Sequence, residues 1–93
     1  GKGQIVDDVN EAISLQIQSG VISLAGLQTG TDIELQLLRS DGSIIKAWAH
    51  LQSNSARYEF DINQELAACA SGLYYISVIA GTDRSTLSFS HLR

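Results

Sequence analysis

Apolar and polar residues alternate with a period of two through most of this chain, and the alternation breaks at intervals on glycine-bearing turns. A period of two sends successive side chains to opposite faces of an extended backbone, so it predicts β-strands with one face in a core. Ile13, Leu15 and Ile17 point one way and Ser14, Gln16 and Gln18 the other, before Ser19-Gly20 supplies a two-residue turn. Val21 to Leu24 follows with Ile22 and Leu24 inward, and a loop from Gly26 to Thr31 leads to a third strand with Ile33, Leu35 and Leu37 on the core side. Asp41-Gly42 is the strongest hairpin signal and launches Ile44 to Leu51. There both parities carry apolar side chains. The reading favoured here puts Ile45, Ala47, Ala49 and Leu51 inside and leaves Trp48 on a sheet edge or against a neighbour.

Tyr58, Phe60 and Ile62 alternate with Glu59 and Asp61 in the next strand. Residues 63–70 form the one helix-friendly stretch, with Asn63 placed to cap its start and Gly72 to end it; its two turns suit a crossover between sheets. Leu73 to Ile79 is apolar on both faces, as a central strand is, and only one of Tyr74 and Tyr75 can face inward. Ala80-Gly81-Thr82-Asp83 turns the chain into a last strand, Ser85 to Leu92, whose apolar positions are Leu87 and Phe89. Short strands at regular spacing predict an all-β fold: a seven-stranded antiparallel immunoglobulin-like sandwich with one short helical crossover. Residues 1–11 lack a period and are expected to form a flexible or weakly paired arm, so the sandwich is expected over 12–93.

Ninety-three residues suffice for one core and not for two. Six basic against ten acidic residues leave a formal charge of −4, and the basic residues are scattered, which argues against nucleic acid as a partner. No apolar run approaches the length of a membrane span. Cys69, in an Ala-Ala-Cys-Ala setting, is the single cysteine and reads as a small core residue. With no methionine in the chain, the expectation is that a signal peptide has been removed from the front and that the protein is secreted, periplasmic or at the outer-membrane surface. Proline is absent, so edge strands must be guarded by charges such as Lys46, Arg84 and Glu34, or by an attached partner.

No residues fall into a catalytic or metal-binding pattern. His50 and His91 have no metal-ligand spacing and read as solvated residues at strand ends. Asp7, Asp8 and Glu11 lack the spacing and turn glycine of a calcium loop, and no glycine run matches a phosphate cradle. No Gly-x-Ser-x-Gly elbow accompanies the serines. The expectation is therefore a protein that is not an enzyme and needs no cofactor. Trp48, Tyr58, Tyr74 and Tyr75 are the residues such a sandwich would use to stack on sugar rings, so a glycan-binding module is the alternative.

The order Gly20-Val21-Ile22-Ser23-Leu24-Ala25-Gly26-Leu27, Ile33-Glu34-Leu35 leading to Asp41-Gly42-Ser43-Ile44-Ile45-Lys46, Phe60-Asp61-Ile62, and Ser71-Gly72-Leu73-Tyr74-Tyr75-Ile76-Ser77-Val78 carries a resemblance. Over residues 12–93 the chain resembles the C-terminal sorting domains of the type IX secretion system, and equally the small secreted sandwich proteins of gut Bacteroides. It lacks the opening Asn-Pro pair and the lysine-rich last strand of sorting domains, ending Ser88-Phe89-Ser90-His91-Leu92-Arg93, which favours the stand-alone relative. The resemblance implies a protein-interaction or sorting role, docking to a secretion translocon, with Gly72, Leu73, Tyr74, Tyr75 and the final strand, including Leu87, Phe89 and Arg93, as the interaction residues beside Trp48.

Overall fold

The computed structural model describes residues 13–92 and shows two antiparallel sheets packed face to face. The strands are β1 (Ser14–Gln18), β2 (Val21–Ala25), β3 (Asp32–Arg39), β4 (Ile44–Gln52), β5 (Arg57–Asp61), β6 (Gly72–Ala80) and β7 (Asp83–His91), with one helix, α1 (Asn63–Ala67). Three strands form one sheet in the order β1-β2-β5, and four form the other in the order β4-β3-β6-β7. The all-β sandwich read from the sequence is the fold observed. Its fourth strand pairs with β3 instead of β5, so the sheets divide three and four. The arm at residues 1–11, like Arg93, lies outside the described residues.

The core is the set of inward alternating positions. Ile22 and Leu24 from β2, Ile33, Leu35 and Leu37 from β3, and Tyr74, Ile76, Val78 and Ala80 from β6 are buried. Those three strands are the inner strands of the two sheets, which is why they carry the branched aliphatic residues. Each buried side chain of this size contributes about 1.5–3 kcal/mol of transfer free energy, so this middle holds the sheets together. Leu66 and Cys69 close the core from the crossover, and the Cys69 thiol donates to the Glu65 carbonyl at 3.3 Å.

Three local expectations are corrected. Along β4 the half-buried residues are Ile45, Trp48 and Leu51, whereas Ala47 and Ala49 are exposed. The reason is two bulges: β4 uses one extra residue opposite β3 between Trp48 and Leu51 and another between Ile44 and Lys46, so the period of two becomes a step of three. His50 sits in the first bulge with φ +62°. Asn63 does not cap α1. Its own N–H donates to Asp61 Oδ1 at 2.8 Å, and its side-chain amide donates to the same oxygen and to the Ser19 carbonyl, tying the crossover to the β1–β2 turn. Gly72 does not end the helix, which stops at Ala67 with Ala68 as its cap, but opens β6.

The β1–β2 turn is the two-residue hairpin expected. Ser19 (φ +54°) and Gly20 (φ +76°) are both left-handed, as a type I′ turn requires. Position 20 has a second demand, because the Asn63 amide occupies the space a Cβ would take there.

Candidate interaction surface

A sandwich of this kind has two open sides, where the edges of its sheets lie over one another. On one side β4 faces β5. The Trp48 and Phe60 rings meet edge to face with centroids 5.0 Å apart, and Tyr58 stacks beyond Phe60 at 6.4 Å. Trp48 is in register with the core-facing Leu35 and fills the gap between the sheets: it does lie on an edge strand against a neighbour, Phe60, but points inward and not out. Lys46 is also in register with an inward residue, Leu37, yet is exposed, so a charge stands on the inner face of this edge. Arg57, Glu59 and Asp61 occupy the exposed face of β5.

On the other side β1 faces β7. Leu15 and Ile17 from one, and Leu87 and Phe89 from the other, are only half-buried and border a groove. Clefts of about 510 Å³ around Ile13, Leu15 and Leu87 and about 380 Å³ around Leu15, Ile17, Leu87 and Phe89 lie along it. A further cleft of about 450 Å³ ends it against Gly20, Asn63, Leu66 and His91. β1 pairs only with β2, and β7 only with β6, so both strands present an unpaired backbone edge among the described residues. β1 carries no ionisable side chain, and from Ser85 to Ser90 neither does β7.

His91 is not the solvated residue expected. It is half-buried, its ring stands at 70° to Tyr74 with centroids 6.0 Å apart, and its Nε2 is buried with no hydrogen-bond partner among the described residues. The cleft beside it offers the Ser19 and Ser90 hydroxyls and the Asn63 amide, and no carboxylate among the described residues lines it. His50 stands exposed on the opposite edge, so the two imidazoles do not meet. Among the described residues no three His, Cys, Asp or Glu side chains are grouped to hold a metal ion, and no helix is long and apolar enough to cross a membrane.

The remaining interaction candidates separate by face. Tyr74 is buried and its hydroxyl donates to the Ala70 carbonyl at 2.6 Å, bracing the start of β6 against the crossover in the manner of the tyrosine corner of immunoglobulin-like sandwiches. Sequence reasoning missed that role; its signal is a tyrosine just after the crossover into a central strand. Leu73 and Tyr75 lie on the outer face of the four-stranded sheet, where Leu38 and Ile44 are in register with Tyr75 across β3. Ile44 is 54% and Leu73 45% exposed, and these four residues form an apolar area at one end of that face. Trp48 points inward and Tyr75 outward, so they do not assemble the aromatic platform that sugar stacking would use. Gly72 pairs with His91 at the end of β7.

The electrostatics are mild. Asp41, in the β3–β4 turn, accepts the Ser43 N–H at 2.9 Å and the Ser43 hydroxyl at 2.7 Å, and these bonds hold its carboxyl below the ordinary aspartate range.

No protein-family model matches this chain, and no curated protein matches it. Among solved structures it is similar to PorZ of Porphyromonas gingivalis, described as an essential bacterial surface component of the type IX secretion system. The likeness has a TM-score of 0.54 at 14% identity, and covers 94% of this chain but 12% of that one. The sandwich thus corresponds in fold to a small part of a much larger protein.

Proposed function

We propose that this chain is a non-catalytic β-sandwich module of the cell envelope or secreted space, acting through protein contacts in sorting or surface assembly linked to type IX secretion. The observation that carries the reading is the match of nearly the whole chain to a small part of a type IX surface component. It is supported by the order of motifs that resembles the sorting domains. It is supported too by a surface whose distinctive feature is an unguarded strand edge in place of a pocket of reactive groups. In this reading β7 and the Gly72-Leu73 start of β6, held in place by the buried Tyr74, form the determinant offered to the translocon.

The test is a periplasmic reporter carrying residues 1–93 at its C-terminus, expressed in a bacterium with a working type IX system. Display of the reporter on the cell surface, lost when Leu87 to Arg93 are removed, is the expected result. A full-length fusion that stays in the periplasm, or a shortened one that is displayed equally well, overturns the proposal.

A further inference from the structure

Strand edges invite pairing unless something prevents it, and the two sides of this sandwich differ in that respect. We infer that the β1/β7 side is a self-association surface, on which a second copy of this chain adds its own β1 and β7 edges about a two-fold axis. Both sheets would then continue across the axis.

The strands are complementary to themselves. Set antiparallel to its own copy about Ser88, β7 places Leu87 opposite Phe89, Thr86 opposite Ser90 and Ser85 opposite His91. All inward residues then fall on one face and all outward residues on the other. Set about Gln16, β1 places Leu15 opposite Ile17. Gln16 and Ser88 border the same cleft, so they stand at the same level of the groove. An antiparallel strand pair has its two-fold axis perpendicular to the sheet, and the two sheets here are stacked face to face. One axis therefore serves both edges.

Charge and area favour this occupant. Self-pairing puts each residue near its own kind, so a charge close to the axis would meet its equal; neither strand carries one there. By contrast, β5 set against itself about its midpoint would bring Glu59 onto Glu59. β7 spans about 30 Å, so this side of the molecule offers a face of roughly 600 Å² per copy, which puts the total near the lower bound of a specific interface. Pairing would also cover Leu15, Ile17, Leu87 and Phe89, the apolar residues the isolated fold leaves half-exposed.

The experiment is sedimentation equilibrium of the 93-residue chain from micromolar to millimolar concentration, with substitutions at Ser88, which is exposed and in register with Tyr75 on the outer face. The expected result is a reversible rise from 10.0 kDa to twice that mass. Ser88→Lys or Ser88→Glu alone would raise the dimer dissociation constant by at least about tenfold, and an equimolar mixture of the two would recover association as a heterodimer. Gln16→Lys and Gln16→Glu form an independent pair on the other sheet, for use if either Ser88 variant loses its strand circular dichroism. A chain that stays at 10.0 kDa throughout overturns the inference. So does a dimer indifferent to all four substitutions, which would place the contact elsewhere, for instance on the apolar area around Leu73 and Ile44. The secretion reading, which uses the same β7 edge, is decided separately by surface display.

Discussion

The two open sides of the sandwich solve the same problem with different means. Where β4 and β5 meet, the gap is filled by the Trp48–Phe60 contact, two bulges bend the edge away from flatness, and Lys46 stands on the face a new strand would bury. Where β1 and β7 meet, pairing with β2 and β6 is regular to the last residue, the gap is lined chiefly by Leu15, Ile17, Leu87 and Phe89, and charge is absent from β1 and from Ser85 to Ser90, Asp83 and Arg84 standing only at the start of β7. Bulges and inward charges are the usual devices against edge-to-edge association; the bulges and the mid-strand charge sit on one side alone, while β7 has an inward charge only at its first residue, Asp83. A fold that guards one edge and leaves the other regular is specialised by side. On the reading proposed above, the guarded side contributes to stability and the regular one is left for contact.

That division is broken most directly by truncation. Trp48→Ala should lower the free energy of unfolding by about 3 kcal/mol, because it removes a large ring wedged between the sheets, while Leu87→Ala should cost about 1 kcal/mol. Urea unfolding of both variants at low protein concentration, with unchanged slopes, provides the check. Equal costs would mean the two sides are packed alike and the contrast is only one of charge.

Turns sharpen the comparison at the next level. Gly20→Ala, at the end of the open side, should destabilise by about 2–3 kcal/mol. A left-handed backbone and the Asn63 amide both oppose a Cβ there, and moving the amide breaks its bond to the Ser19 carbonyl. Gly42→Ala, at the β3–β4 turn of the guarded side, meets only the backbone penalty, about 1–2 kcal/mol, since nothing lies near its Cβ. Thermal unfolding of the pair should rank them in that order.

Much of this was legible in the residues and the remainder was hidden for physical reasons. Alternation along β1, β2, β3 and β6 reads directly into burial because regular pairing preserves a period of two. It failed on β4, where Ile45, Trp48 and Leu51 became the half-buried set, because a bulge is a property of two strands together and Ala47 and Ala49 offer no local sign of one. Asn63 looked like a helix cap, yet its amide serves a turn forty-four positions away in sequence, a contact no window around α1 contains. The groove could not be read at all. Leu15, Ile17, Leu87 and Phe89 look like core residues in their own strands, and only the sheet order reveals that both strands lie at the same rim.

The bulge itself can be probed at His50. With φ +62° on an exposed, edge-strand residue, His50→Gly should stabilise the fold by about 0.5–1 kcal/mol, whereas His50→Val should destabilise it by about as much, since a β-branched side chain resists that conformation. If the valine variant instead straightens β4 without loss of stability, it should gain a tendency to associate through that edge. The guard would then be the bulge and not the Lys46 charge.

The smallest effect concerns acid. The Asp41 carboxylate is held below its unfolded value first by the Ser43 N–H and then by the Ser43 hydroxyl. A depressed carboxyl contributes stability that is fully present above its unfolded pKa and is lost as pH falls through the lower, folded pKa. The β3–β4 hairpin of the guarded side therefore weakens only in strong acid, and only slightly, because Asp41 is fully exposed and water screens its bonds. Carboxyl carbon titration by NMR should place Asp41 below the ordinary aspartate value. Ser43→Ala should move it part of the way back, since the hydroxyl is removed while the backbone donor stays. A titration unchanged by Ser43→Ala would assign the shift to the backbone donor and the nearby Arg39 charge, and the turn would then owe little of its acid sensitivity to the serine hydroxyl.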